Sequence, residues 1–260
     1  MGLFLQHQNT FQRVSGPPAV QANTASLDGV NQFLNSGNPS QLQLGANFTL
    51  AAWVYRDDSN RHIIMSKFNF SGNQRAISFE ISDNQGAGDN LLLALSSDGT
   101  SGNLTKFQTV ATIPQQTFTF VAATYDGANV KLYINGVEEL STAHTASVFN
   151  TSADFLIGSI DAGTGAFFDG SISGCVAMNR AATSGEITSI YNLGVMWNPI
   201  YLPSTVKDDL VLCPPLNNSI ASGREFEDYS GFANDPTNPN GITITGVLID
   251  VQEGLVYDSF

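Results

Sequence analysis

The 260-residue chain carries 23 Asp and Glu against 10 Lys and Arg, a formal net charge of −13, and is 42% apolar with 17 Phe and 7 Tyr. That apolar content excludes a disordered chain, and no apolar run approaches the roughly 18 residues of a membrane-spanning helix. The acidic balance opposes binding to nucleic-acid phosphates and to anionic membranes, and leaves sugars, divalent cations and other proteins as partners.

Residues 1–22 contain Ser15-Gly16-Pro17-Pro18, which interrupts regular structure, and read as an N-terminal arm. The opening Met1-Gly2-Leu3-Phe4-Leu5-Gln6-His7 lacks the basic head of a signal peptide. From Ser26 onward, short β-prone segments alternate with Gly, Asn and Asp. Leu42-Gln43-Leu44 is a brief alternating piece. Phe48 to Tyr55 is a stronger strand, with Phe48, Leu50, Ala52 and Val54 on one face and Trp53 and Tyr55 on the other. Further strands are predicted at Ile63 to Lys67, Ala76 to Ile81, Asn90 to Leu95 and Phe107 to Thr112. Thr117 to Tyr125, Val130 to Ile134 and Val137 to Leu140 form a meander, with Asn135-Gly136 as a type I′ turn. Phe155 to Gly158 and Ile172 to Met178 are two more strands around the glycine-rich loop Asp161 to Gly170.

Thr183-Ser184-Gly185-Glu186 matches a capping box and opens one short helix near 184–193, its stripe of Ile187, Ile190 and Tyr191 plugging a sheet and Gly194 ending it. Beyond Trp197 the chain is proline-rich, yet Leu210 to Cys213 and Gly241 to Val251 read as strands, with a bend or bulge at Gly246. The predicted division is an arm over 1–22, a β-sandwich over 23–196 and a segment over 197–260 that completes or covers it. Cys175 and Cys213 fit no zinc or redox spacing and read as buried thiols, with a disulfide as the open alternative. The glycosylation pattern at Asn47, Asn69, Asn103, Asn150 and Asn217 is treated as unused.

Several pieces recur together in order: Ser26-Leu27-Asp28-Gly29-Val30-Asn31, Phe48 to Val54, Val121 to Gly127, Val130 to Val137, Leu156-Ile157-Gly158, Phe168-Asp169-Gly170 and Ser184-Gly185-Glu186-Ile187. This set resembles the laminin-G-like branch of the concanavalin A-like lectin/glucanase superfamily over roughly residues 24–196. The resemblance implies an all-β, concanavalin A-like jelly-roll sandwich of two antiparallel sheets. Two positions depart from the pattern: Phe118 replaces a common tryptophan, and Ile172 to Val176 lacks the usual acids. Leu210 to Leu216 with Asp228 to Gly231 resembles the stretch that normally opens such domains, which implies a rotated contribution to the sheet.

Relatives of this kind often hold Ca²⁺ at a sandwich rim. Of the loop acids Asp57, Asp58, Asp126, Asp154, Asp161 and Asp169, the pair Asp161 and Asp169 flanks the glycine-rich loop and is the candidate Ca²⁺ site. Phe167 and Phe168 in that loop are the candidate ligand-contacting residues; Tyr55, Trp53 and Phe70 are aromatic candidates by type. His7, His62 and His144 have no partner at metal or triad spacing, and Glu80 with Asp83 alternates across a strand, so no enzyme is predicted. The functional expectation is a non-enzymatic, self-associating protein of a large assembly, a virion decoration or tail component found on the particle or released by lysis. Calcium-dependent binding of cell-surface glycans is the alternative.

Overall fold

A computed structural model describes residues 20–82, 88–217 and 223–249. Two antiparallel sheets face each other. The front sheet comprises β1 (Val20–Asp28), β3 (Phe48–Arg56), β8 (Thr119–Tyr125), β9 (Asn129–Ile134), β10 (Val137–Ala143), β12 (Asp169–Met178), β13 (Leu210–Leu212) and β14 (Thr243–Ile249). Its spatial order is β10-β9-β8-β3-β12-β1-β14, with β13 also on β12. The back sheet comprises β2 (Leu34–Asn35), β4 (His62–Asn69), β5 (Gln74–Ile81), β6 (Asn90–Ser96), β7 (Leu104–Thr112) and β11 (Phe155–Ile157), in the order β2-β11-β4-β5-β6-β7. This is the expected sandwich.

Alternation explains the core. Phe48, Leu50, Ala52 and Val54 point inward from β3 and meet Leu91, Leu93 and Leu95 of β6 and Ile77, Phe79 and Ile81 of β5 in one buried cluster. Asn135 and Gly136 turn the meander with φ of 49° and 78°, as the sequence requires for a type I′ hairpin. Three details differ from expectation. Residues 1–19 of the predicted arm lie outside the described residues, and Val20 already belongs to β1. Leu42 sits in a 3₁₀ turn, Ser40–Leu42, because Pro39 opens it. Gly246 pairs with Asn23 in unbroken register; in the front sheet the register shifts instead at places such as β12 between Ser173 and Val176 and β10 between Glu138 and Leu140.

A second apolar cluster lies on the outside of the front sheet. The helix α1 (Ser184–Tyr191) sets Ile187 and Ile190 on Ala51, Trp53, Phe120 and Val176, and Val195, Trp197, Leu202 and Val206 continue the cover. Eight residues are too few for an independent helix, so packing and capping sustain it. Thr183 Oγ1 accepts from Glu186 N at 3.2 Å, and Glu186 accepts from Thr183 N at 2.9 Å. Arg180 then forks onto both Glu186 oxygens at 2.8 and 2.9 Å and reaches Asp209 at 2.5 Å, tying α1 to the entry of β13. Cys175 lies in the inner cluster and Cys213 in the outer one; both are free, and burial pushes both thiols up.

The Arg180 pairing holds Glu186 down at about 2 against the usual 4.5. A depressed carboxyl contributes stability that is complete above the unfolded value and disappears as pH falls from about 4.5 to about 2. Glu186→Gln is therefore expected to flatten that acid limb and to cost on the order of 2 kcal/mol at neutral pH. Urea titrations of both proteins across pH 2.5–7 check it; parallel curves would contradict it.

Candidate functional site

The cover over the front sheet stops short of one end. Outward positions there align in register: Tyr55 of β3 lies opposite Ser171 of β12, Ser171 opposite Ser26 of β1, and Ser26 opposite Thr243 of β14. Phe118, just before β8, extends the row by packing its ring on Tyr55 at 5.1 Å. The inward neighbours Val54, Ile172, Ala25, Leu27 and Ile242 sit in the core, which fixes the row outward. At 4.7–4.9 Å per strand, the row spans about 19 Å, four sheet spacings. Phe118, Tyr55 and Ser26 are half-buried and Thr243 is exposed, whereas Ser171 forms a buried floor.

Behind this row is a second one that the cover closes. Trp53 stacks on Tyr191 of α1 at 5.5 Å and 23° and packs on Phe120 at 5.6 Å. Ser173 Oγ donates to Val195 O at 2.7 Å and accepts from Asn217 Nδ2 at 3.0 Å. The buried Trp53 Nε1 has no acceptor among the described residues. Tyr191 is thus the wall where the cover meets the open row.

The rim beside the row is acidic. Asp57 and Asp58 follow β3, Asp28 ends β1, and Asp169 begins β12. Asp57 N donates to Asp169 O at 3.1 Å, and Asp28 Oδ1 accepts from the amides of Val30, Asn31 and Gln32 at 2.9–3.2 Å. Those amides pull Asp28 below the usual carboxyl value against its own burial. Burial, then Asp58 and Asp57, push Asp169 up. Burial and Asp57 push the Tyr55 phenol up, so it stays a neutral donor. The buried His62 accepts from Asp169 N at Nδ1 (3.2 Å) and faces Asp58 Oδ1 at 2.9 Å through Nε2, the arrangement of a neutral ring that burial keeps from protonating. Buried Arg56 fixes the same loop, donating to Ile113 O and Asp58 O and pairing with Asp89 at 2.6 Å.

The candidates from the glycine-rich loop part company. Asp161 Oδ1 accepts from Phe70 N at 2.8 Å and its Oδ2 from Thr164 Oγ1 at 3.2 Å, whereas Asp169 belongs to the rim with Asp57 and Asp58. Among the described residues no three His, Cys, Asp or Glu side chains converge on a metal position. Asp161 and Asp169 are thus engaged in different places, the first with Phe70 and Thr164 and the second beside Asp57 and Asp58. Phe168 is fully buried against His62 at 5.0 Å, a core residue without surface to offer a ligand. Phe167 is half-buried and packs on Phe33 at 6.4 Å. Trp53 is mostly buried, Tyr55 lies in the row, and Phe70 is exposed on the opposite sheet. The sequence reading did not single out Phe118, Ser171, Ser26 or Thr243 as ligand contacts. Only Tyr55 carried a signal, its phase opposite Val54.

A sequence profile for a laminin G family, described as the concanavalin A-like lectin/glucanases superfamily, matches residues 28–188, more than half of the chain. No curated protein matches the chain. It is similar to a proposed carbohydrate binding protein from Bacteroides ovatus, with 19% identity and a TM-score of 0.63 over 89% of this chain and 60% of that one. The chain thus spans about three-fifths of that protein. It is also similar to domain 4 of AbnA, an extracellular arabinanase from Geobacillus stearothermophilus, solved with arabinotriose (22% identity, TM-score 0.52, 68% of this chain and 82% of that one). A third is the CBM40 of the Ruminococcus gnavus IT-sialidase bound to α2,3 sialyllactose (16% identity, TM-score 0.55, 66% and 98%). These likenesses are of fold. With the profile match over its central strands, the chain belongs to the concanavalin A-like lectin/glucanase superfamily.

Proposed function

We propose that this chain is a non-catalytic carbohydrate-binding protein and that Phe118, Tyr55, Ser26 and Thr243, arranged over the buried Ser171, receive an uncharged oligosaccharide. The observation that carries the reading is the row itself: two rings in contact, followed by hydroxyl side chains on three consecutive strands. Pyranose faces are apolar and stack on aromatic rings, while their hydroxyls pair with short polar side chains. The four rim carboxylates accept sugar hydroxyls and repel anions, which selects neutral ligands. Two of the similar structures above hold bound sugars, the neutral arabinotriose and the anionic sialyllactose, which supports carbohydrate binding in general, while the preference for a neutral ligand rests on the rim alone.

The acids that the sequence offered for hydrolysis do not pair with one another among the described residues. Glu80 is buried and accepts from Arg61, Ser78 and Ser82; Asp83 lies outside the described residues; Glu227 pairs with Arg224. The virion expectation finds no support in the similar structures described above, none of which is a capsid or tail protein, and it is not carried forward. Calorimetry with neutral oligosaccharides of three to five units, chosen from a glycan array, tests the proposal. Saturable binding with Kd on the order of 0.1–1 mM or tighter is expected, unchanged by chelator. A folded chain that binds no neutral glycan contradicts it.

A further inference from the structure

At one edge the back sheet runs down to its two shortest strands. β2 has two residues and β11 three, and they join the sheet through Asn35 opposite Leu156 and Phe155 opposite Lys67 of β4. The chain that follows β2 clasps β11: Ser36 N donates to Phe155 O at 2.9 Å, and Phe155 N donates to Gly37 O at 2.7 Å. Gly37 N in turn donates to Asn35 Oδ1 at 2.7 Å. This loop sets the Asn38 amide against the end of the Lys67 side chain.

Lys67 is 1% exposed, and two uncharged oxygens receive its Nζ, Ala153 O at 2.7 Å and Asn38 Oδ1. Burial pulls the amine down to about 8 against the attraction of Asp154. About a tenth of it is therefore neutral, and nucleophilic, near pH 7. Asn38 stands at the surface, yet both of its amide atoms are held: Oδ1 also accepts from Gln43 Nε2 at 2.5 Å, and Nδ2 donates to Thr151 O at 3.5 Å. Because Nζ touches Oδ1, the carbonyl carbon one C=O bond beyond lies within about 4 Å of the amine. The torsion that turns a side-chain amide is soft, so its face swings toward Nζ at little cost. Pro39 follows Asn38 and has no N–H, which closes the usual loss of ammonia through the next backbone nitrogen.

We propose that Lys67 and Asn38 join in an intramolecular isopeptide bond. Lys67 Nζ bonds to Asn38 Cγ, the Cγ–Nδ2 bond breaks, one amine proton passes to Nδ2, and ammonia leaves. Asp154 relays that proton, and Gln43 Nε2 steadies the negative oxygen of the tetrahedral intermediate. One amide is exchanged for another, so no oxidant or co-reactant enters. The product keeps an N–H for Ala153 O. The link closes the chain from Asn38 to Lys67 and fastens the loop after β2 to β4 across the short β11, removing that loop's freedom from the unfolded state. It is independent of the carbohydrate-binding reading.

Denaturing mass spectrometry of the purified full chain tests the link. The expected mass is one ammonia below that of the sequence, and a tryptic digest is expected to hold Asn38 and Lys67 in one branched peptide, uncut after Lys67. Lys67→Arg and Asn38→Ala are each expected to restore the full mass, and Asp154→Ala to slow the loss of ammonia about tenfold or more in freshly made protein. Asn38 is at the surface, so its variant keeps the comparison valid should Lys67→Arg not fold; it is expected to melt several degrees below the linked chain. A folded wild-type chain of full mass that trypsin cuts after Lys67 overturns the proposal and reduces the contact to a hydrogen bond. Ammonia lost instead at Asn135-Gly136 or Asn240-Gly241, located by the same peptides, overturns it as well.

Discussion

Replacing Gly170 by alanine is expected to destabilise the sandwich by about 3 kcal/mol or more, visible as a lower denaturation midpoint at unchanged slope. Gly170, the second residue of β12, has φ +129°, a conformation closed to side chains. A methyl there would lie 2.0 Å from Tyr55 O and 3.0 Å from Arg56 Cα, both backbone atoms of the paired strand β3. Nothing flexible can yield, so the strands must separate at the point where the open row and the acidic rim meet. Gly37 is the control. Its φ is +66°, but no atom lies within 4 Å of an added Cβ, so Gly37→Ala is expected to cost only the left-handed penalty of about 1 kcal/mol. Equal losses at the two sites would contradict the close approach of β12 to β3.

Tyr55→Ala is expected to weaken neutral-glycan binding by about 30-fold or more, the size of a binding hot spot of 2 kcal/mol, without altering the melting temperature by more than a few degrees. Tyr55 is the aromatic at the centre of the contact surface, flanked by Phe118 at 5.1 Å and by Ser171 in register. Phe118→Ala is expected to lose about tenfold, and Tyr55→Phe to retain most affinity because stacking survives the loss of the hydroxyl. Thr243→Ala, at the hydroxyl end, is expected to cost about threefold. Binding indifferent to both ring truncations would remove the row from function.

Local chemistry made much of this legible before any coordinates. The alternation of Phe48 to Tyr55 fixed which side of β3 enters the core, Asn135-Gly136 fixed a hairpin, and Thr183 with Glu186 fixed where α1 begins. These are signals between near neighbours in the chain. The row is different in kind. Ser26, Tyr55, Ser171 and Thr243 come from four strands spread over more than two hundred residues, and only the register of β3, β12, β1 and β14 places them abreast. No spacing rule reaches that far.

Phe168 shows the opposite limit. A glycine-rich loop reads as surface, yet the chain folds back so that Phe168 N bonds Gly158 O at 2.9 Å and its ring enters the core beside His62. Asp161 and Asp169 looked like a pair because they bracket one loop. The loop instead carries Asp161 to Phe70, over the outer side of the back sheet, and leaves Asp169 among Asp57 and Asp58. Likewise Glu80 and Arg61 are separated by a full strand, and their pairing follows from β4 and β5 lying side by side.

The most direct test maps where a sugar sits. Backbone amide shifts, followed during titration with the tightest neutral oligosaccharide, should move at Ser26, Tyr55, Phe118, Ser171 and Thr243 and at the adjoining Asp57. Amides of β5 and β6 should stay still. Shifts confined to the back sheet, or to the Asp161–Gly165 loop, would contradict the placement of the glycan on the front sheet.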